Sequence, residues 1–82
     1  MTVRVAEDGT IHLEGRCPIE DAESLLQHLL RTPGGCVDLQ ACHHAHTAVI
    51  QVLFAAKPRM RGPSPAPFVR FLVEPTISDN EV

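Results

Sequence analysis

Four side chains that can bind metals and one hydroxyl lie within six residues, between two apolar stretches. They are Cys42, His43, His44, His46 and Thr47. Thiolates and imidazoles are the ligands that zinc and copper bind in proteins, whereas a threonine hydroxyl can accept a phosphoryl group. The segment therefore raises two hypotheses: a metal site, and a docking site for another protein that phosphorylation regulates.

For a metal site, the residues must place three donors around one point. In an extended segment alternate side chains share a side, so Cys42, His44 and His46 could converge whereas His43 could not. The three cysteines of the chain are separated by 19 and 6 residues, which fits neither a disulfide framework nor paired zinc ligands. We expect the thiols to be reduced. A small metal-binding or metal-sensing protein is the alternative function. The preferred function, docking of another protein, requires no cofactor.

For a docking site, the feature that matters is the start of the second predicted helix. The N-terminus of a helix leaves backbone N–H groups free and favours anions, and Thr47 at this place either caps the helix or accepts a phosphoryl group. One face of this helix is small and uncharged, which allows close approach of another protein. The predicted docking residues are His44, His46, Thr47, Ala48, Gln51 and Ala55.

Composition limits the class of protein. The 82 residues carry a net charge of -3, and their seven basic residues form no stripe for a phosphate backbone, so no nucleic-acid partner is expected. No apolar run is long enough to span a membrane, and the N-terminus does not resemble a secretion signal, so we expect a cytoplasmic protein. A domain this small is not expected to enclose an active site, and we predict no enzymatic activity.

The hydrophobic patterns predict an α/β fold with the order β-β-α-β-α-β. Alternation predicts a hairpin around Glu7-Asp8-Gly9, and helical spacing predicts helices over residues 18–31 and 45–56. The third strand is expected at residues 36–39, where it should pair in parallel.

The C-terminal third of the chain is less regular. The residues between the third strand and the second helix are expected to form a polar loop, residues 57–67 an extended connection, and residues 68–73 the last strand. This gives a single mixed four-stranded sheet with two helices, a domain over residues 1–74 and a flexible tail over 75–82. Because two helices would leave apolar sheet surface uncovered, we also expect self-association into a homodimer.

Residues 2 to 73 resemble the STAS domain, the sulfate-transporter and anti-sigma-factor-antagonist family. The resemblance is carried by Gly15 after the hairpin, by Asp38-Leu39 in a strand, and by His46-Thr47-Ala48 leading into a helix. It implies a minimal, C-terminally truncated form of a non-enzymatic bacterial signalling module, of the anti-sigma-antagonist, chemotaxis or two-component type. It also implies that Thr47 matches the hydroxyl that a partner kinase phosphorylates, and that the partner is a kinase or an anti-sigma-like protein.

Overall fold

The chain folds into a four-stranded sheet and three helices, seen in a computed structural model that describes residues 2–78. The strands are β1 (Val3–Val5), β2 (Ile11–Cys17), β3 (Cys36–Ala45) and β4 (Arg59–Arg61). The helices are α1 (Glu20–Arg31), α2 (Thr47–Ala56) and α3 (Glu74–Ser78), and a π-helical segment (Val69–Val73) leads directly into α3. We call this segment together with α3 the C-terminal helix. Within residues 2–78, none of the helices has the length and apolarity needed to cross a membrane.

The sheet is mixed, with the strands in the order β1-β2-β3-β4. The hairpin of β1 and β2 is antiparallel, whereas β2–β3 and β3–β4 are parallel pairs. In the hairpin turn Gly9 has a φ of 89°, and the carboxylate of Asp8 accepts the Thr10 N–H at 2.9 Å. The predicted class, a single mixed four-stranded sheet with the order β-β-α-β-α-β, is confirmed.

The position of the fourth strand was predicted wrongly. It lies at Arg59–Arg61, inside the segment predicted as an extended connection, where it pairs with Cys36, Val37 and Asp38 of β3. Residues 68–73, predicted as the strand, are helical. Their β-branched and aromatic side chains favour a strand locally, but Val69, Val73 and Ile77 are spaced four residues apart and are all buried on one helical face.

Because of the C-terminal helix, the packed domain also ends further along the chain than predicted. Residues 75–78 were predicted as part of a flexible tail, yet they form the end of α3, and the Ile77 side chain is only 1% exposed. The domain therefore has three helices and extends past the predicted boundary at residue 74. Residues 79–82 of the predicted tail lie outside the described residues.

The core is aliphatic and lies against one face of the sheet. Ile11, Leu13, Val37 and Leu39 of the strands join one buried cluster with residues of all three helices, such as Leu25, Leu53 and Val73. The aromatic side chains Phe54, Phe68 and Phe71 are all exposed. Since the third helix adds its own apolar face to this core, the expected uncovered apolar sheet surface is no longer an argument for a homodimer.

Candidate protein-docking site

Strand β3 is longer than predicted and includes most of the Cys/His segment. It continues to Ala45 because β2 also continues, to Cys17, and the two strands remain paired. Gly15 pairs with Cys42, and Arg16 pairs with His44, so His43 is an extra residue in β3. Such a bulge changes which side chains point to the core. Residues 42–45 are therefore strand residues rather than a loop.

This register separates the predicted metal ligands. Cys42 is fully buried in the core, and its Sγ lies 3.7 Å from the carbonyl oxygen of His44. The His44 and His46 side chains are exposed. Among residues 2–78, no group of three or more His, Cys, Asp or Glu side chains is placed to hold a metal ion. The described residues therefore do not bring Cys42, His44 and His46 together as the predicted three-ligand site.

His46, not Thr47, caps helix α2. Its φ and ψ are -59° and 149°, outside the helical region, and its Nδ1 accepts the Ala48 N–H at 3.0 Å. Its own backbone N–H donates to the carbonyl of Cys17 at 2.9 Å, which fixes the start of the helix to the end of β2. Imidazole thus supplies the acceptor that Ser, Thr, Asp or Asn more often supplies at this position.

Thr47 is the first residue of α2, and its side chain is exposed. The other predicted docking residues of the helix share this outer surface: Gln51 and Ala55 are exposed, and Ala48 is partly exposed. The first turn of α2 contains no acidic side chain, whereas the first turn of α1 contains Glu20, Asp21 and Glu23. The partial positive charge at the start of α2 is therefore not offset by a carboxylate of its own first turn.

A groove of about 220 Å³ lies beside Thr47. We call it the junction groove, and it is lined by His44, Ala45, Thr47, Ile50, Ala66, Phe68 and Val69. Phe68 on its rim is 55% exposed, and Phe71 and Leu72, three and four residues further along the helix, are 66% and 57% exposed. Because this spacing places the three side chains on one helical face, an exposed apolar stripe adjoins the groove.

The far wall of the junction groove is held by Ser64, which sequence reasoning missed. The buried Ser64 hydroxyl donates to the carbonyl of Cys42 at 2.6 Å and accepts the Ala66 N–H at 3.1 Å. Its backbone N–H donates to the carboxylate of Glu74 at 2.8 Å. These bonds attach the segment before the C-terminal helix to β3. The available signal was the four-residue spacing of the later apolar residues, which required a helical interpretation of residues 68–77.

A second group of charged side chains lies on the opposite face of the sheet. The carboxylate of Asp38 lies 3.6 Å from Nδ1 of His12 and 3.6 Å from a guanidinium nitrogen of Arg61. Its other oxygen accepts the Gln40 N–H at 2.8 Å, so Asp38 is a structural acceptor for the backbone that follows. This group ties three strands together.

No protein-family model, no curated protein and no solved structure matches this chain. The resemblance to the STAS domain therefore stays a prediction.

Proposed function

We propose that this chain is a non-enzymatic protein-binding module of a bacterial signalling pathway, which docks through the start of α2. The observation that carries the proposal is the position of exposed Thr47 on the edge of the apolar junction groove. Apolar grooves with a few polar groups at the rim are typical of binding sites. A partner would insert an apolar side chain beside Ile50 and Phe68 and would contact Thr47 at the same time.

The exposed Phe68–Phe71–Leu72 stripe supports a macromolecular partner rather than a small ligand. Three large apolar side chains on one helical face, each more than half exposed, extend the contact surface beyond the groove. Exposed apolar patches on small domains commonly mark protein interaction sites. The partner is a second protein or, as the other mode we propose, a second copy of this chain.

Phosphorylation of Thr47 would regulate this contact. A phosphoryl group adds a charge of about -1.5 to -2 and is tolerated at a helix N-terminus, here one with no carboxylate in its first turn. The same charge on the rim of an apolar groove disfavours a docked apolar side chain because it has to be desolvated. The helix would therefore keep its fold while the partner is released.

The resemblance to the STAS domain suggests the kind of partner. Asp38-Leu39 lies in β3 and Thr47 opens α2, as the resemblance implies. On this basis we propose a histidine kinase, a serine/threonine kinase or an anti-sigma-like protein as the partner, in a bacterial cytoplasm.

The test compares partner capture by three forms of the tagged chain. Thr47→Glu places a negative charge on the groove rim, and Gln27→Glu makes a similar change at an exposed position on α1. We expect a signalling protein to be retained by the original chain and by Gln27→Glu but not by Thr47→Glu. With the partner purified, Thr47→Glu should raise the Kd at least about tenfold, a difference of about 1.4 kcal/mol.

Circular dichroism and thermal unfolding should show the same fold for all three forms. Equal affinity of Thr47→Glu and Gln27→Glu for the partner would contradict docking at Thr47. A retained protein without any signalling role would contradict the proposed class of partner.

A further inference from the structure

The thiols of Cys17 and Cys42 meet inside the core. Cys17 ends β2 and Cys42 lies on the neighbouring strand β3, where Gly15 pairs with Cys42 and Cys17 pairs with Ala45. Both side chains are at most 1% exposed and belong to the same buried cluster. The third cysteine, Cys36, lies at the start of β3, where its Sγ is 3.8 Å from the carbonyl of Val37. Only the first two are free thiols in contact with each other.

The interaction between the two thiols makes the sulfurs unequal. It lowers the pKa of Cys42 and raises the pKa of Cys17, whose thiol form is favoured further by burial. Each Sγ also lies near a backbone carbonyl oxygen, that of Glu14 at 4.0 Å for Cys17 and that of His44 at 3.7 Å for Cys42. Of the pair, Cys42 therefore forms the thiolate more readily. Since the thiolate is the reactive form of cysteine, Cys42 is the nucleophile of the first step, and the Cys17 thiol reacts in the second step.

A surface depression reaches Cys17, one member of this pair. It has a volume of about 220 Å³ and is lined by Arg16, Cys17, Pro18, His44 and His46. A small neutral oxidant can reach Cys17 through this depression. The bulge at His43, next to Cys42, interrupts the regular pairing of β3 with β2 at this point.

We infer that Cys17 and Cys42 form a reversible disulfide when the protein meets a peroxide. The Cys42 thiolate attacks one peroxide oxygen, the O–O bond breaks, and the departing hydroxide takes a proton to become water. The sulfur of Cys17 then attacks the sulfur of the resulting Cys42 sulfenic acid. The S–O bond breaks, and the hydroxyl leaves as water with the proton of the Cys17 thiol. Two thiols and one hydrogen peroxide thus give one disulfide and two waters, and an external thiol reverses the reaction.

The disulfide would act on the surroundings of both cysteines. The carbonyl of Cys17 accepts the His46 N–H at the start of α2, and the carbonyl of Cys42 accepts the Ser64 hydroxyl. An S–S bond of about 2.05 Å draws the two strand ends together and covalently closes the loop that contains α1. Oxidation therefore changes backbone positions on both sides of β3.

The first experiment treats the folded chain with one equivalent of hydrogen peroxide, followed by alkylation and non-reducing peptide mass spectrometry. We expect an intramolecular Cys17–Cys42 disulfide with Cys36 alkylated, and full reversal by dithiothreitol. The same treatment in urea should lose the preference for this pair, because the preference comes from the folded geometry. Disulfides that involve Cys36, or bonds only between chains, would overturn the inference.

Single variants assign the two roles. Cys36→Ser is the matched control and should form the disulfide at the original rate. Cys17→Ala should stop at a Cys42 sulfenic acid that dimedone traps, whereas Cys42→Ala should react at least tenfold more slowly with peroxide. If either alanine variant fails to fold, the inference is tested on the original chain, which is equilibrated in glutathione redox buffers. In that measurement, a Cys17–Cys42 disulfide that never exceeds the urea-unfolded level at any ratio of oxidised to reduced glutathione overturns the inference.

Discussion

The helix-covered face of the sheet is aliphatic, whereas the opposite face carries one row of polar side chains that crosses all four strands. In that row Arg4 pairs with His12, His12 with Asp38, and Asp38 with Arg61. Both faces come from the same strands, since successive side chains point to opposite sides. Burial also varies along the polar row, since Asp38 is 7% exposed while Arg4 and Arg61 are exposed. We therefore expect a polar contact to stabilise this fold appreciably only where water is excluded.

The largest expected effect follows from a cavity in the aliphatic face. Leu39→Ala removes a fully buried side chain of β3, and the neighbouring strands and helices cannot close the gap completely. We expect the free energy of unfolding to fall by about 2 to 5 kcal/mol, measured by urea denaturation. The neighbouring exposed Gln40 is the control, and Gln40→Ala should stay within about 0.5 kcal/mol. Equal losses for the two variants would contradict the difference between the faces.

An intermediate effect is expected at Asp38, the buried member of the polar row. Asp38→Ala leaves the Gln40 N–H without its acceptor and separates His12 and Arg61 from their shared carboxylate. The free energy of unfolding should fall by about 1 to 3 kcal/mol at pH 7, because the lost hydrogen bond is buried and charged. Asp38→Asn keeps an acceptor oxygen and should cost less. A loss for Asp38→Ala no greater than that for Gln40→Ala would show that burial does not set the value of this contact.

Several elements of the fold could be predicted because their signals are local. Alternating side chains with a turn at Glu7-Asp8-Gly9 predict the hairpin, and the spacing of Leu25, Leu29 and their neighbours predicts α1. The beginning of β3 and the whole of α2 follow from equally plain patterns. In each case the side chains that face the core recur with the period of the element they form.

The C-terminal half depends on pairing that the local sequence does not show. Arg59–Arg61 has no apolar pattern and becomes a strand only because β3 offers it main-chain partners. The end of β3 loses its alternation where the register with β2 shifts, so residues 40–45 resemble a loop in sequence. Residues 68–73 form a helix because Ile77 completes their buried face, although their composition favours a strand.

The candidate site also has one part that could be predicted from the sequence and one part that could not. The exposed position of Thr47 and the small outer face of α2 follow from helical spacing alone. The junction groove could not be predicted, since its far wall requires the C-terminal helix and the buried bonds of Ser64. The inward position of Cys42, which separates it from His44 and His46 and brings it to Cys17, follows from the register shift between the pairs His12–Asp38 and Glu14–Ala41. A one-residue shift in a strand exchanges the faces of all later side chains.

The smallest effect is expected where the polar row meets solvent. The Arg4 guanidinium donates to the carboxylate of Glu14, with the closest atoms 3.1 Å apart, and this hydrogen bond lowers the pKa of Glu14. A carboxylate with a lowered pKa in the folded state contributes stability above its unfolded pKa of about 4.3, and loses it as the pH falls through the folded pKa. Both side chains are largely in water, so this contribution is small and is screened by salt.

Arg4→Gln should therefore lower the Tm at pH 7 in low salt by less than Asp38→Ala does. The difference from the original chain should narrow as the pH falls towards 3, because protonation of Glu14 removes the charge that Arg4 contacts. Arg16→Gln removes the same charge from an exposed position on β2. Arg16 is not among the groups that lower the pKa of Glu14. Its difference from the original chain should not depend on pH in this range. A Tm difference for Arg4→Gln that persists at pH 3, or that exceeds the effect of Asp38→Ala, would mean that Arg4 stabilises the sheet by packing of its side chain instead of through its charge.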